Sequence, residues 1–429
     1  RQTCPKEAEA RSGWKQTRKE PGNPPVSMSR RPAEEPEAPT PPWHPKRLPG
    51  ALNGFALGMA GLAAVFLNLG NLPHLQGLPK ELFTYPAGFC IVVAIVEQFL
   101  FFVKLAVCSN AKRCQMLESA KGLAGQTWHT TIPLIATSSY RLWKGSAAAV
   151  VAAQVVVYFG VVAQAVVGFA FLRRVFKDRL LPEPIFFPAL VTVGQAAMSG
   201  AILHIHPWVV AASVWIGIGV CVILIPWVTY RVSLSSQVAP SATIALVSAP
   251  ASFMTVSIIA ARLSDAKSLV GPKAIVHAFL ATELLSLLIT SLLLIPRFPR
   301  LRSDFFSFQF AAVTFPAAST ANATICYVAG VWPNPVLEVI SICIGAVTIV
   351  VVLSFNMAMA VTLVKVMSAK PIAVVDVEVD SVEGGGSKIQ MTQLAHISPA
   401  TLAQEDSRTR VAPGMSISAR ENRFSNGGR

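Results

Sequence analysis

Unbroken apolar runs of about 20 residues, the length an α-helix needs to cross a bilayer's hydrocarbon core, occupy most of the middle of this chain. Ala147 to Phe171 is the plainest of them. A backbone in hydrocarbon must pair every amide within its own segment or within a closed barrel. Barrel strands are shorter and alternate apolar with polar residues, so these runs exclude a barrel and predict helices. Composition agrees: 53% of the 429 residues are hydrophobic and 14% charged, with a mean hydropathy of +0.53. A soluble domain of this size needs far less apolar surface.

Ten such segments can be marked off: Leu52 to Leu72, Phe83 to Cys108, Thr127 to Leu142, Ala147 to Leu172, Ile185 to Leu203, Trp208 to Tyr230, Ser241 to Leu263, Ala274 to Ile295, Phe305 to Gly330 and Pro335 to Val366. The fold class expected is therefore an all-α integral membrane protein with ten transmembrane helices in residues 51–367. Residues 1–50, rich in Pro, Glu, Arg and Lys, bury too little to fold and are expected to be a disordered cytoplasmic tail. Residues 368–429, with their run Gly384 to Gly386 and many Ser, Gln and Arg, are expected to be a second such tail. A kinase acting on the protein would find its substrates in these tails.

The formal charge of +14 becomes informative once it is located. Residues 1–50 carry +4 and residues 366–429 are neutral, which leaves +10 in the helical core, mostly in its short loops. That is how membrane topology is written, not a nucleic-acid footprint. With the N-terminus inside, eleven basic residues fall in inner loops (Lys112, Arg113, Lys121, Arg173, Arg174, Lys177, Arg179, Arg231, Arg297, Arg300, Arg302) and six in outer ones (Lys80, Arg141, Lys144, Arg262, Lys267, Lys273). Both termini are thus expected in the cytoplasm, with the plasma membrane as the host. The seven cysteines, Cys4, Cys90, Cys108, Cys114, Cys221, Cys326 and Cys343, show no CxxC spacing, and no metal site, disulfide framework or cofactor is expected.

Proline inside a helix removes a hydrogen bond and bends the axis, and its placement alternates. Pro133, Pro188, Pro250 and Pro316 fall in the third, fifth, seventh and ninth segments, while the first carries Gly54, Gly58 and Gly61. The even segments keep proline near their ends, at Pro86, Pro207 and Pro226. A lipid-facing helix gains nothing from a break, whereas one bordering a wet cavity has its freed carbonyls solvated. The odd segments are therefore expected to form an inner ring and the even ones an outer, lipid-facing ring. Hydroxyl and amide residues strengthen the division: Thr127, His129, Thr130, Thr131, Thr137, Ser138 and Ser139 on the third segment, and Thr192, Gln195 and Ser199 on the fifth. Such groups replace part of an anion's hydration shell without holding it tightly.

Ionisable residues within the spans are few, and Glu97, Lys104, His277, Glu283 and Glu338 all lie on even segments. Lys104 is expected to snorkel to the inner interface, and His277 and Glu338 to lie near the outer one. Glu97 and Glu283 are expected to be protonated or paired between helices, and they are the candidates for proton coupling. An enzyme is not expected, because His204 and His206 share a short outer loop with no carboxylate nearby. A seven-helix receptor does not fit a count of ten.

Phe306 to Tyr327 reads FSFQFAAVTFPAASTANATICY, Ser241 to Met254 reads SATIALVSAPASFM, and Phe186 to Ala201 reads FFPALVTVGQAAMSGA. In order and spacing these stretches resemble the ninth, seventh and fifth helices of the tellurite-resistance/dicarboxylate transporter family, over about Gly50 to Met367. That family includes bacterial TehA, plant slow anion channels, fungal malate permeases and sulfite efflux pumps. The resemblance implies five helical hairpins, odd helices around a central uncharged pore, a homotrimer, and occlusion by a phenylalanine of the ninth helix, best matched by Phe315 between Thr314 and Pro316. The polar third segment and Gln195 depart from the plainer family pattern.

The function expected is voltage-independent passage of small anions, monovalent or a C4-dicarboxylate such as malate, through a pore gated by Phe315 and lined by Pro133, Pro188, Thr192, Gln195, Pro250, Thr314 and Pro316. The alternative is a proton-coupled dicarboxylate or sulfite carrier that uses Glu97 or Glu283.

Overall fold

Where nothing interrupts the hydrogen-bond ladder, the apolar runs make long helices. Ala147–Lys177 holds 31 residues without a proline and closes with Arg174 and Lys177 in its last turn, where cations favour the free carbonyls. The chain then turns through Arg179 in the left-handed region (φ 49°). Leu180 N–H donates to the Val175 carbonyl at 3.0 Å and Arg179 N–H to that of Phe176 at 3.4 Å, a pairing that satisfies orphan carbonyls of the last turn.

The computed structural model describes residues 48–49, 51–108, 127–143, 146–184, 186–234, 241–295 and 311–368. The chain divides into two units, Arg1–Ala373 and Val374–Arg429, and every described residue belongs to the first. Both expected tails lie outside the described residues apart from Leu48, Pro49 and Ser368. So do Cys4, Cys114, the loop cations Lys112, Arg113, Lys121, Lys144, Arg297, Arg300 and Arg302, and the aromatic entry Phe305 to Phe310.

Among the described residues there is helix and no strand. Each of the ten expected segments contains helix: α1 Leu52–Leu69, α2 Glu81–Val107, α3 Trp128–Trp143, α4 Ala147–Lys177, α5 Phe186–Ile202, α6 Pro207–Leu234, α7 Ala249–Arg262, α8 Ala274–Leu294, α9 Ala311–Gly330 and α10 Pro335–Ser368. Seven stretches are long and apolar enough to cross a membrane, namely α1, α2, α4, α6, Ile244–Arg262 with α7, α8 and α10. That is the make-up of an α-helical integral membrane protein. The three others have physical reasons for falling short. α3 has 16 residues, six of them from Thr130 to Ser139 polar or proline, α5 is broken, and α9 sets Thr314, Ser319, Thr320, Asn322 and Thr324 among alanines.

The breaks coincide with the prolines of odd segments. α5 consists of a helical turn Phe186–Leu190 around Pro188, a 3-10 turn Val191–Val193, and helix Gly194–Ile202. A 3-10 stretch Ser241–Val247 leads into α7, which carries Pro250 in its first turn. The freed polar groups at the α5 break are met by α4: Gln164 Nε2 donates to the Ala189 carbonyl at 2.7 Å, and the Thr192 hydroxyl lies 2.8 Å from Gln164 Oε1.

Burial follows the same alternation. In α1 and in Ile244–Arg262, 78% and 94% of the most apolar window is buried, against 22–44% in α2, α4, α6, α8 and α10. The even helices turn large apolar side chains outward, Val155, Phe159 and Phe169 on α4 and Leu284, Leu288 and Leu292 on α8 among them. Exposed apolar area on that scale suits lipid. Helix packing runs α1 to α3, α3 to α5, α5 to α7, α7 to α9 and α9 back to α1, and each odd helix also packs on the even helix that follows it.

Between apolar helices in lipid, close approach of small residues supplies much of the packing energy. Gly54, Gly58 and Gly61 of α1 meet Ala311, Thr314 and Ala318 of α9. A methyl group added at Gly58 would run into the Thr314 side chain, and one at Gly61 would stand 2.9 Å from Ala318 Cβ. Asn322 closes this contact by donating 3.0 Å bonds to the carbonyls of Gly61 and Ala318 and accepting from Asn68 Nδ2 at 2.8 Å.

Candidate functional site

The five odd helices share a cavity of about 370 Å³. α1 contributes Ala64 and Asn68, α3 Thr137, Ser138 and Arg141, α5 Met198 and Ala201, α7 Val256 and Ile259, and α9 Ile325 and Cys326. Every wall residue comes from an odd helix or from the turn just after one. Exposed Asn71 and His204 mark the mouth.

Polar groups are concentrated on the α1–α3–α9 side of this space. Arg141, in the last turn of α3, reaches across to α1, where its Nη2 donates to Asn68 Oδ1 at 2.8 Å and to the Leu67 carbonyl at 3.3 Å. Asn68 in turn donates to Asn322 Oδ1, with Cys326 Sγ at 3.4 Å. The opposite wall, from Met198 through Ile259, is aliphatic. At the mouth His204, held at φ 52°, stands 3.6 Å from Asp265. The expectation that no carboxylate lies near the His204–His206 loop is thereby corrected: the turn after α7 brings one there from 61 residues away in sequence.

Phe315 lies elsewhere along the bundle. It is 8% exposed, and its ring centroid is 5.6 Å from that of Phe253 on α7, tilted by 60°. The two rings border a void of about 10 Å³, walled also by Phe187, Pro188, Thr192 and Pro250, which is barely the space of one water. From Phe315 to Ile325 on the large cavity's wall, α9 rises about 15 Å. Between the two spaces the helices are tightly joined, with the Ser252 and Ser319 hydroxyls 2.8 Å apart and Ser257 donating to the Gly194 carbonyl at 2.9 Å.

The expected pore residues fall into separate groups. Pro188, Thr192 and Pro250 gather with Phe315 around the small void. Pro133 and Gln195, with Thr192 again, border a second recess of about 20 Å³ between α3, α4 and α5. The Pro133 ring faces Gly160 of α4, and Gln195 Nε2 donates to the Ser199 hydroxyl while its Oε1 makes no hydrogen bond. Thr314 is buried against Gly58 and donates to the Ala311 carbonyl at 3.0 Å, and Pro316 is buried in the same turn of α9.

Glu97 of α2 and Glu283 of α8 are buried, 4% and 0% exposed, and face inward from even helices. Neither forms an ion pair among the described residues, and the carboxyl oxygens of Glu97 have no hydrogen-bond partner there. Thr255 lies beside Glu283, but its hydroxyl is committed to the Ala251 carbonyl at 2.8 Å. Lys104 does reach back, donating to the Leu48 carbonyl. Glu338 accepts from the His74 backbone N–H at 2.7 Å and stands 2.6 Å from its Nδ1, which ties the α1–α2 turn to the start of α10. His277 sits 2.8 Å from the Tyr327 hydroxyl.

No family model and no curated protein matches this chain. Its chemistry is therefore read from its own residues. Among the described residues no group of three His, Cys, Asp or Glu side chains could hold a metal ion. Four contributors escaped the sequence pattern: Arg141 counts there as an outer-loop charge, Phe253 falls within the SATIALVSAPASFM stretch, and nothing in the pattern singles out Asn68 or Asn322. A signal for Arg141 did exist. It lies four residues after Thr137 and three after Ser138, on the same face of α3.

Proposed function

We propose that this chain is a passive anion permease of the kind its sequence resembles, the tellurite-resistance/dicarboxylate transporter family, with ten transmembrane helices in five hairpins. Odd helices line a central path and even helices face lipid, with both termini in the cytoplasm of a plasma-membrane homotrimer. One observation carries this reading: the large cavity draws its wall from all five odd helices and from no even one. A space ringed in this way by the most buried and most broken helices is where a transported solute meets protein instead of lipid. Phe315, with Phe253, is the gate, since two packed rings beside a void of one water's size block hydrated ions until they swing aside. No covalent chemistry is involved.

Purified protein in liposomes tests this directly. Chloride, nitrate, malate and sulfite are each supplied as a gradient at two pH values, and an anion flux that is saturable and insensitive to pH is expected. Absence of any flux above empty liposomes would remove the permease reading.

A second reading, a proton-coupled dicarboxylate or sulfite carrier, is favoured by Glu97 and Glu283, two buried, inward-facing carboxyls with no ion-pair partner among the described residues. It requires uptake driven by a pH gradient and abolished in Glu97→Gln or Glu283→Gln.

A further inference from the structure

The large cavity holds one fixed positive charge. Arg141 spends Nη2 on two neutral acceptors, the Leu67 carbonyl and the Asn68 amide oxygen. Neither cancels the charge of the guanidinium. Its Nε and Nη1 have no acceptor among the described residues, and no carboxylate pairs with it. Two acids at this end of the helices sit against histidines instead, Glu338 against His74 and Asp265 against His204. A cation facing an aliphatic wall is costly unless an anion joins it. The described residues supply none there.

The shape of the unmet need names the occupant. The guanidinium donors still open, Nε–H and the two on Nη1, are coplanar but lie on different edges because Nη2 is spent, so each offers a single bond to an oxygen of a small oxyanion in that plane. Ser138 adds a hydroxyl to the same wall. Opposite stand Met198, Val256 and Ile259, which accept a short hydrocarbon body and offer nothing to a second charge. At about 370 Å³ the space admits a small ion with a few waters, at roughly 30 Å³ per water. His204 at the mouth and Cys326 beside Asn68 are the other titratable groups on this wall, neither a fixed cation, and Asp265 sits beside His204, so a dianion would leave one carboxylate without a fixed partner.

We infer that Arg141 forms, in the cavity shared by the five odd helices, a binding site for monovalent planar oxyanions, short monocarboxylates and nitrate, that discriminates against C4 dicarboxylates. The site rests on the permease reading for its role in transport, but not for its existence as a binding site. It departs from the uncharged pore that the family resemblance implies.

The test uses the full-length protein in two assays. In detergent, the melting temperature is followed while nitrate, acetate or succinate is titrated at constant ionic strength. In liposomes, flux of the same anions is measured. Arg141→Gln retains an amide N–H to satisfy Asn68 and Leu67 but removes the charge, and Arg141→Lys retains the charge without the coplanar donors. Nitrate and acetate should raise the wild-type melting temperature and succinate should not. Arg141→Gln should abolish that shift and raise the KM for nitrate at least about tenfold with little change in maximal rate, while Arg141→Lys should fall between. A merely structural role for Arg141 would leave the KM and the anion series of the Gln variant unchanged, and that result overturns the site. Equal stabilisation by succinate overturns it as well, and this needs no variant. Arg141-dependent binding with no flux in liposomes would support the site and sink the permease reading instead.

Discussion

A phenyl ring packed between α7 and α9 fills space that a methyl group would leave empty. Phe315 and Phe253 are in direct contact and the adjoining void is barely a water in size, so removing one ring joins that void to the space the ring vacates. Phe315→Ala should raise anion conductance at least about tenfold, the equivalent of about 1.4 kcal/mol off the barrier, with the protein still recovered as a folded species on size exclusion. Unchanged single-channel or liposome current would take Phe315 out of the gate. Phe253→Ala should act in the same direction, which follows from the ring pair and not from any sequence motif. Gly58 makes the opposite case, in which added volume does the damage. Any Cβ there enters the Thr314 side chain, so Gly58→Val should destabilise by about 1–3 kcal/mol, the usual cost of overpacking, read as a lower melting temperature in detergent. Both residues could be picked from the sequence as special, Phe315 by its place before Pro316 and Gly58 by its spacing from Gly54 and Gly61. Their partners could not, because contacts between residues 62 apart, as with Phe253 and Phe315, or 256 apart, as with Gly58 and Thr314, leave no local trace.

At the scale of the helix, the breaks in α5 and before α7 show how an apolar segment stays in the membrane with part of its ladder open. Gln164 on α4 serves the α5 break from outside, with its amide on the Ala189 carbonyl and its oxygen beside the Thr192 hydroxyl. Gln164→Leu leaves the buried Ala189 carbonyl without its side-chain donor, while the Thr192 hydroxyl retains the Pro188 carbonyl at 2.6 Å. The loss should be about 1 kcal/mol, within the range measured for interhelical hydrogen bonds in membranes, and Gln164→Glu should rescue less than half of it because a carboxylate cannot donate to Ala189. Thermal unfolding of the three proteins in one detergent measures this, and a Leu variant as stable as the wild type would show that the break needs no clamp. Helix existence and type were legible throughout from apolar length. The prolines marked the breaks in α5 and at the start of α7, while Pro133 and Pro316 sit inside helices that continue through them. What periodicity could not supply was the face each proline presents: Pro133 points at Gly160 of α4, away from the cavity, because a kink constrains the axis of a helix and not the direction of its side chains.

At the scale of the whole molecule, exposure and wetness part company. Val155 and Val166 of α4 and Leu288 of α8 are 61%, 63% and 56% exposed, far more open than Ile202 or Ala260 on the cavity wall, which are only part-exposed. In a soluble protein the first three would meet water and the last two would not. If the even helices border lipid, the order reverses, since a thiol reacts as its thiolate and a thiolate does not form in hydrocarbon. Single cysteines at these five positions, in a chain whose native cysteines are replaced, separate the cases when treated with a membrane-impermeant maleimide in proteoliposomes. Ile202→Cys and Ala260→Cys should label, from one side of the membrane only, and bound nitrate should slow them. Val155→Cys, Val166→Cys and Leu288→Cys should stay unmodified until detergent is added. Faster labelling of the three outer sites than of the two inner ones would mean that the odd helices do not border the aqueous path. The argument linking the large cavity to transport would then have no geometry to stand on, whatever flux the liposomes displayed.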